Sequence, residues 1–129
     1  MNFKLDTKPT YTVITPISDV LDAALTDALR QKWNEFAEKG SSNFIVDLQH
    51  CLNVKEESLS ALAYLHEYIY DNNFSLVFTN VQPHVLEVLK AKEIDHAVNI
   101  TPKMIEAIDI VSMEILEREL FNEDEPWYY

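Results

Sequence analysis

The pattern of apolar and polar residues divides the chain into short runs typical of strands and longer stretches typical of helices. Residues 3–7 alternate apolar and polar, residues 11–15 are β-branched and aromatic, and Pro9 marks the turn between them. Three later apolar runs predict buried strands at residues 44–48, 74–79 and 96–100. Apolar residues spaced three and four apart predict a helix after the second strand and after each of these three runs.

The ends of two helices carry recognisable signals. Asp19 or Asp22 is placed to cap the first helix, and Gly40 follows its last turn, where a left-handed residue ends many helices. The last helix is predicted to begin with Thr101 as N-cap and Pro102 in its first turn, and to run to about residue 121. The apolar stripe predicted to face the core from this helix is Met104, Ile105, Ile108, Val111 or Ser112, Ile115 and Leu116.

The predicted order of elements is β-β-α-β-α-β-α-β-α. Three strand–helix–strand steps imply parallel strands joined by right-handed crossovers, and the first strand pairs antiparallel with the second. The sequence therefore predicts a single α/β domain over residues 1–121, with a mixed, mostly parallel sheet of about five strands and about four helices. Residues 122–129 are acidic and then aromatic, and we interpret them as a tail.

Composition excludes several classes of function. The formal net charge is −12, from 22 acidic and 10 basic residues, which argues against nucleic-acid partners and against anionic membranes. The single glycine, Gly40, excludes the Gly-rich phosphate loops of nucleotide-binding proteins. A lone cysteine and an N-terminus without the apolar segment of a signal peptide lead us to expect a cytoplasmic protein.

The residues most often used in catalysis do not form a recognisable group. His50 and Cys51 are adjacent, and adjacent residues on an extended chain point to opposite faces. The four histidines are dispersed and no Cys or His cluster has zinc spacing, so we expect no metal and no cofactor. The acids of the last helix lie along one element rather than across a cleft, which favours a solvated face. We therefore expect a protein that is not an enzyme.

The stretch most suggestive of a site runs from residue 43 to residue 65, where a strand is followed by a turn and a helix. Sites in α/β domains are usually built beyond the carboxyl ends of the strands, and this turn occupies such a place. This stretch with residues 79–85, the helical residues 105–111 and the ending 116–120 resembles the STAS domain family. The family includes bacterial anti-sigma factor antagonists and the cytoplasmic tails of sulfate transporters. The resemblance implies a STAS-like α/β fold.

The resemblance also implies where a partner would bind. In the antagonists the turn reads Asp-Ser-Ser-Gly-Leu-Gly or Ser, and its second serine is phosphorylated by the anti-sigma kinase. Here the motif falls on residues 55–60, of which only Leu59 and Ser60 agree, so Glu57 occupies the phosphoacceptor position. The implied partner-binding turn comprises Asn53, Lys55, Glu56, Glu57, Ser58 and Ser60, bordered by Asp47 and Asn80.

Two interpretations of Glu57 remain open at this point. Its charge could imitate a phosphoserine in part, or it could be an acid placed in the first turn of a helix, where it opposes the macrodipole. The function is open in the same way. The chain could bind an anti-sigma factor or serine-kinase-like protein, could be a scaffold or homo-oligomer subunit that uses its aromatic tail, or could be a small hydrolase or ligand-binding protein. The first is the hypothesis that we take forward.

Overall fold

The computed structural model of the protein describes residues 2–40 and 42–124, with side chains to residue 121. Strands in this part of the chain are β1 (Phe3–Thr7), β2 (Thr12–Pro16), β3 (Val20–Leu21), β4 (Phe44–Asp47), β5 (Asn53–Val54), β6 (Leu76–Thr79) and β7 (Asn99–Thr101). Five of them form one sheet in the order β1-β2-β4-β6-β7, where only the β1–β2 pair is antiparallel. The short strands β3 and β5 pair separately and in parallel.

The helices are α1 (Ala23–Glu38), α2 (Leu59–Asp71), α3 (Pro83–Ala91) and α4 (Met104–Asp124), with 3-10 turns at Glu56–Ser58 and Ile94–His96. Helices α1, α2 and α3 pack on one face of the sheet, and α4 packs on the other. The predicted fold class, a mixed and mostly parallel sheet with four helices, is confirmed. Within the described residues, none of the helices combines the length and apolar character needed to cross a bilayer.

Successive side chains of the central strands point to opposite faces of the sheet, and this explains why helices pack on both faces. Phe44 and Val46 in β4 face the three-helix side, whereas Ile45 lies on the other face and packs with Ala107 and Val111 of α4. Both kinds of position are apolar because β4 is covered on both faces, as is usual for strands in parallel sheets. The edge strand β1 is mostly exposed, and its polar residues suit an edge.

The first helix begins and ends close to the prediction. Leu21 belongs to β3 rather than to α1, and Asp22 is the N-cap whose carboxylate accepts a hydrogen bond from Leu25 N at 2.9 Å. Gly40 follows the helix with φ +84°, the left-handed conformation that was expected there. The two-residue strands were not predicted, because a run of two carries no periodicity.

The predictions for the last helix need correction at its start and along its face. Thr101 lies in β7, and its hydroxyl bonds to Thr79 and to the carbonyl of Lys103, so it does not cap α4, which begins at Met104. Ile105 and Leu116, predicted to face the core, are 66% and 55% exposed. Because α4 carries apolar residues on opposite sides, spacing alone could not identify the buried side. The helix continues to Asp124, and the aromatic end of the predicted tail lies outside the described residues.

The strand predicted at residues 96–100 is shorter and later than expected. Residues Ile94–His96 form a 3-10 turn, and β7 begins only at Asn99. Glu93 precedes this turn with φ +59°, which redirects the chain after α3.

Candidate functional site

The turn between β5 and α2 is held firmly against the segment that precedes α1. Lys55 N donates to Leu21 O at 2.9 Å, and both Leu52 N and Asn53 N donate to Asp19 O. The parallel pairing of β3 with β5 joins the same two segments. The backbone of the turn therefore has a defined position at the carboxyl edge of the sheet.

Most side chains of this turn point outward. Exposed positions are Asn53, Lys55, Glu56, Glu57 and Ser60. Glu56 contacts Lys92 at 3.3 Å, but both side chains are largely exposed, so the pair contributes little to stability. Within the described residues Glu57 takes part in no ion pair, so its carboxylate is free to meet a partner. We define residues 53–60 as the switch turn.

Ser58 differs from the other residues of the switch turn. Its side chain is fully buried, and its hydroxyl donates to Lys55 O at 2.7 Å, with Leu21 O at 3.2 Å. The hydroxyl therefore fixes the turn from inside and offers no surface to a partner or kinase. This corrects its place among the predicted contact residues.

The two acids before Ser58 lie in the first turn of a continuous helical segment. Glu56–Ser58 forms a 3-10 turn that leads directly into α2, with Glu56 and Glu57 in its first turn. Acids at this position interact favourably with the unpaired N–H groups of a helix start. The position of Glu57 therefore agrees with its interpretation as a helix-start acid, which does not depend on a partner.

Asp47 and Asn80 are predicted to border the switch turn, and the structure places Asp47 at the end of β4 and Asn80 directly after β6. Asp47 is 5% exposed and lies on the α4 side of the sheet, because it follows Val46, which faces α2. Its carboxylate accepts hydrogen bonds from Gln49 N at 3.0 Å and Gln49 Nε2 at 2.8 Å, so it shapes the loop after β4. Asn80 is half-buried with φ +55°, a conformation that asparagine tolerates well.

A groove beside the switch turn was not predicted from the sequence. It lies between α1 and α2, has a volume of about 510 Å³, and is lined mainly by apolar atoms. Ala23 and Ala61 are small enough to leave it open, and Tyr64 and Tyr68 form its exposed wall. The sequence does contain an indication of this groove, because four of its lining residues are spaced so that they share one face of α2: Ala61, Tyr64, Leu65 and Tyr68.

The pair of His50 and Cys51 is not a nucleophile and base. His50 is exposed and Cys51 is fully buried. Burial, together with the nearby charges of Asp19 and Asp22, raises the pKa of the Cys51 thiol to about 11. Among the described residues, Cys, His, Asp and Glu side chains do not gather into a group that could hold a metal ion.

His66 and Tyr70 belong to a polar network that connects α2, β7 and α4. The Tyr70 hydroxyl donates to Glu114 Oε1 at 2.6 Å and accepts from Asn99 Nδ2 at 2.6 Å. His66 stacks on Tyr70 with ring centroids 4.4 Å apart, and its Nε2 accepts from Asn99 N at 3.2 Å. Burial lowers the pKa of His66, against the opposing charge of Glu114, and raises the pKa of Tyr70. Because every partner is internal, we interpret this network as structural.

Comparison with known proteins identifies the fold. A family model described as the STAS domain matches residues 2–107. A comparison with the sequences of curated proteins finds no match.

Several solved structures are similar to this chain. A Thermotoga maritima protein proposed to be an anti-sigma factor antagonist is 18% identical with a TM-score of 0.71, covering 85% of this chain and 94% of its own. The unphosphorylated anti-sigma factor antagonist SpoIIAA is 17% identical with a TM-score of 0.63, covering 86% of this chain and 96% of its own. The murine anion transporter Slc26a9 is 18% identical with a TM-score of 0.65, covering 80% of this chain and 18% of its own. At these identities the likeness shows the fold alone.

Proposed function

Because this chain belongs to the STAS domain family, we propose that it is a non-catalytic module that binds an anti-sigma factor or serine-kinase-like protein through the switch turn. The observation that carries this proposal is the turn itself, in which Lys55, Glu56 and Glu57 project outward from a backbone fixed by Leu21 and Ser58. A backbone that is already fixed loses little further entropy when it binds. The proposal places this chain in the cytoplasm.

We propose that the turn is not switched by phosphorylation at the usual position. A serine at this position could alternate between a neutral hydroxyl and a phosphate with about −1.5 to −2 charges, whereas glutamate keeps one negative charge. Ser58 does not replace the missing acceptor, because its hydroxyl is buried and bonded to the backbone. The chain would therefore present one constant state to its partner.

The groove between α1 and α2 extends the proposed surface. It adjoins the switch turn through Ala61, the residue after Ser60. Its apolar lining and the exposed ring of Tyr64 are features that are enriched at the centres of protein interfaces. The charged turn would orient a partner, and the groove would provide the apolar contact.

The proposal is tested by changing the charge of Glu57. Glu57→Arg is compared with Glu67→Arg, which makes the same change at another exposed position, on α2. Binding to the anti-sigma kinases encoded in the same genome is measured by calorimetry on purified proteins. We expect Glu57→Arg to weaken binding at least about tenfold, since a contacting charge is reversed, and Glu67→Arg to bind as wild type.

A second variant tests the absence of the phosphorylation switch. Glu57→Ser is incubated with the same kinases and ATP beside the wild type, and phosphate incorporation is followed by intact mass. We expect Glu57→Ser to gain one phosphate while the wild type gains none.

The binding experiment also has an outcome that contradicts the proposal. If Glu57→Arg binds as well as the wild type, the switch turn does not contact the partner and the proposal fails.

A further inference from the structure

The outer side of α4 carries an unusual concentration of exposed apolar side chains. Of the ten large apolar residues exposed in the described part of the chain, five lie on this one helix. Their exposures range from 50% for Leu120 to 73% for Phe121. Single exposed apolar residues are common on protein surfaces, but a group on one helix marks an interaction site.

Four of these residues lie on one line along the helix. At 100° per residue, Ile105, Met113, Leu116 and Leu120 fall within a sector of about 80°. The buried residues Ala107 and Val111 lie on the opposite side, facing the sheet. We define Ile105, Met113, Leu116 and Leu120 as the outer stripe of α4. The helix is therefore apolar on two sides, and the described part of the chain covers only one of them.

The exposed charged side chains of α4 are all negative in the described part of the helix. Asp109 lies within the same sector, one turn after Ile105 and one turn before Met113, and it is exposed. Glu106, Glu117 and Glu119 are also exposed, and they flank the outer stripe on its two sides. Arg118, the only basic residue in the described part of α4, points away toward Asn43 and Ser75, to which its guanidinium donates at 3.3 and 3.0 Å.

These charges distinguish between the candidates that could cover the stripe. A second copy of the chain would bring acid against acid, because each copy carries the same acidic residues and a net charge of −12. An anionic membrane would be repelled for the same reason. An apolar occupant without charge would strip water from the Asp109 carboxylate and provide no partner for it.

We propose that the outer stripe of α4 binds an amphipathic helix whose apolar face is bordered by lysine or arginine. Such a helix covers the apolar residues and places a cation opposite Asp109, so that the carboxylate remains paired when it is buried. The surface lies on the face of the sheet opposite α2. It is therefore separate from the switch turn and does not depend on the function proposed above.

The test uses a fluorescent synthetic helix of leucine and lysine, with a control peptide in which every lysine is replaced by glutamate. Anisotropy is measured with the full chain at 0.15 M salt. We expect the lysine peptide to bind at least about tenfold more tightly than the glutamate peptide, because charge reversal removes the cations that face Asp109 and its neighbours. Glu57→Arg should bind the lysine peptide as the wild type does.

Matched variants separate the stripe from general attraction between opposite charges. Leu116 and Leu52 are both 55% exposed, and Leu116→Gln and Leu52→Gln make the same change at two places. We expect Leu116→Gln to weaken binding about fivefold and Leu52→Gln to leave it unchanged, since only one leucine becomes buried against the peptide. Asp109→Asn is compared in the same way with Asp71→Asn, and only the former should weaken binding.

Four outcomes would overturn the proposal. Equal loss in the two leucine variants would mean that the attraction is unspecific. A wild-type dimer that Leu116→Gln converts to a monomer would assign the stripe to a second copy. Binding to phosphatidylserine vesicles that Leu116→Gln removes would assign it to a membrane. A chain ending at Asp124 that binds the lysine peptide while the full chain does not would assign it to residues 125–129.

Discussion

At the scale of single residues, the environment of Cys51 determines its chemistry. The thiol is part of the core cluster that includes Leu48 and Leu59. Burial and the charges of Asp19 and Asp22 raise its pKa to about 11, so at neutral pH the sulfur is protonated as well as covered. The thiolate is the reactive form, and this cysteine has neither the charge state nor the access that reactivity requires.

Cys51 should therefore report unfolding rather than catalysis. With a thiol reagent such as Ellman's reagent at pH 8, the native chain is expected to react at least about a hundredfold more slowly than the chain unfolded in urea, because the thiolate forms only after exposure. The rate is measured by absorbance. Rapid reaction of the native protein would show that the core around Cys51 opens easily.

Glu57 and Ser58 are neighbours in sequence with opposite surroundings. Glu57 is exposed, whereas Ser58 is buried and bonded to Lys55 O and Leu21 O. The sequence could place both in a turn, but the side each one faces depends on how the turn docks on β3, a two-residue strand without a pattern of its own. The candidate site was thus predictable as a segment but not residue by residue.

At the scale of elements, the end of α1 depends on Gly40. Its φ of +84° is one that side chains with a Cβ rarely adopt, while the space around a Cβ built there is open. We expect Gly40→Ala to destabilise the protein by about 1 kcal/mol, through backbone conformation rather than through steric contact. Urea denaturation followed by circular dichroism measures the change.

The control for this prediction is Gly40→Asn. Asparagine tolerates the left-handed conformation better than alanine, so this variant should lose less stability although its side chain is larger. If asparagine costs more than alanine, the loss comes from crowding, and the conformational argument is incorrect.

The elements that the sequence predicted well are those whose apolar pattern is compatible with only one mode of burial. Helix α1 has one apolar side and is closely followed by Gly40, and the central strand β4 is apolar from Phe44 to Val46 because both of its faces are covered. Helix α4 was predicted, but its start was placed two residues too early and Ile105 and Leu116 were assigned to the wrong side. A sequence with apolar residues on both sides of a helix does not contain the information on which side the sheet covers.

At the scale of the whole molecule, the Tyr70 network connects helices from opposite faces of the sheet. Tyr70 belongs to α2 and Glu114 to α4, and their hydrogen bond of 2.6 Å joins the two layers beside Asn99 of β7. Tyr70→Phe should lower the free energy of unfolding by about 1–3 kcal/mol, because Glu114 and the Asn99 amide each lose a hydrogen-bond partner in a half-buried place. Thermal denaturation measures the loss. A double-mutant cycle with Glu114→Gln should give a coupling well above zero, and additive losses would show that the pair does not connect the layers.

The same network makes the stability of the fold depend on pH. His66 is held neutral because burial lowers its pKa from the ordinary value of 6.5, and its Nε2 accepts a hydrogen bond from Asn99 N that a protonated ring could not accept. Well above pH 6.5 the ring is neutral in both the folded and the unfolded chain, so His66 contributes no pH dependence there. As the pH falls below 6.5, the unfolded chain binds a proton that the folded chain does not, and the free energy of unfolding decreases.

This contribution should be visible in urea denaturation between pH 7.5 and pH 5. A single proton can change the free energy of unfolding by at most about 1.4 kcal/mol per pH unit. His66→Gln keeps a hydrogen-bond acceptor without a titrating ring, so we expect its stability to vary less with pH over this range than that of the wild type. His84→Gln, at an exposed position in α3, is the matched control and should follow the wild type. If His66→Gln and His84→Gln give the same slope, the acid sensitivity arises elsewhere, and the network holds the two layers together without sensing the proton.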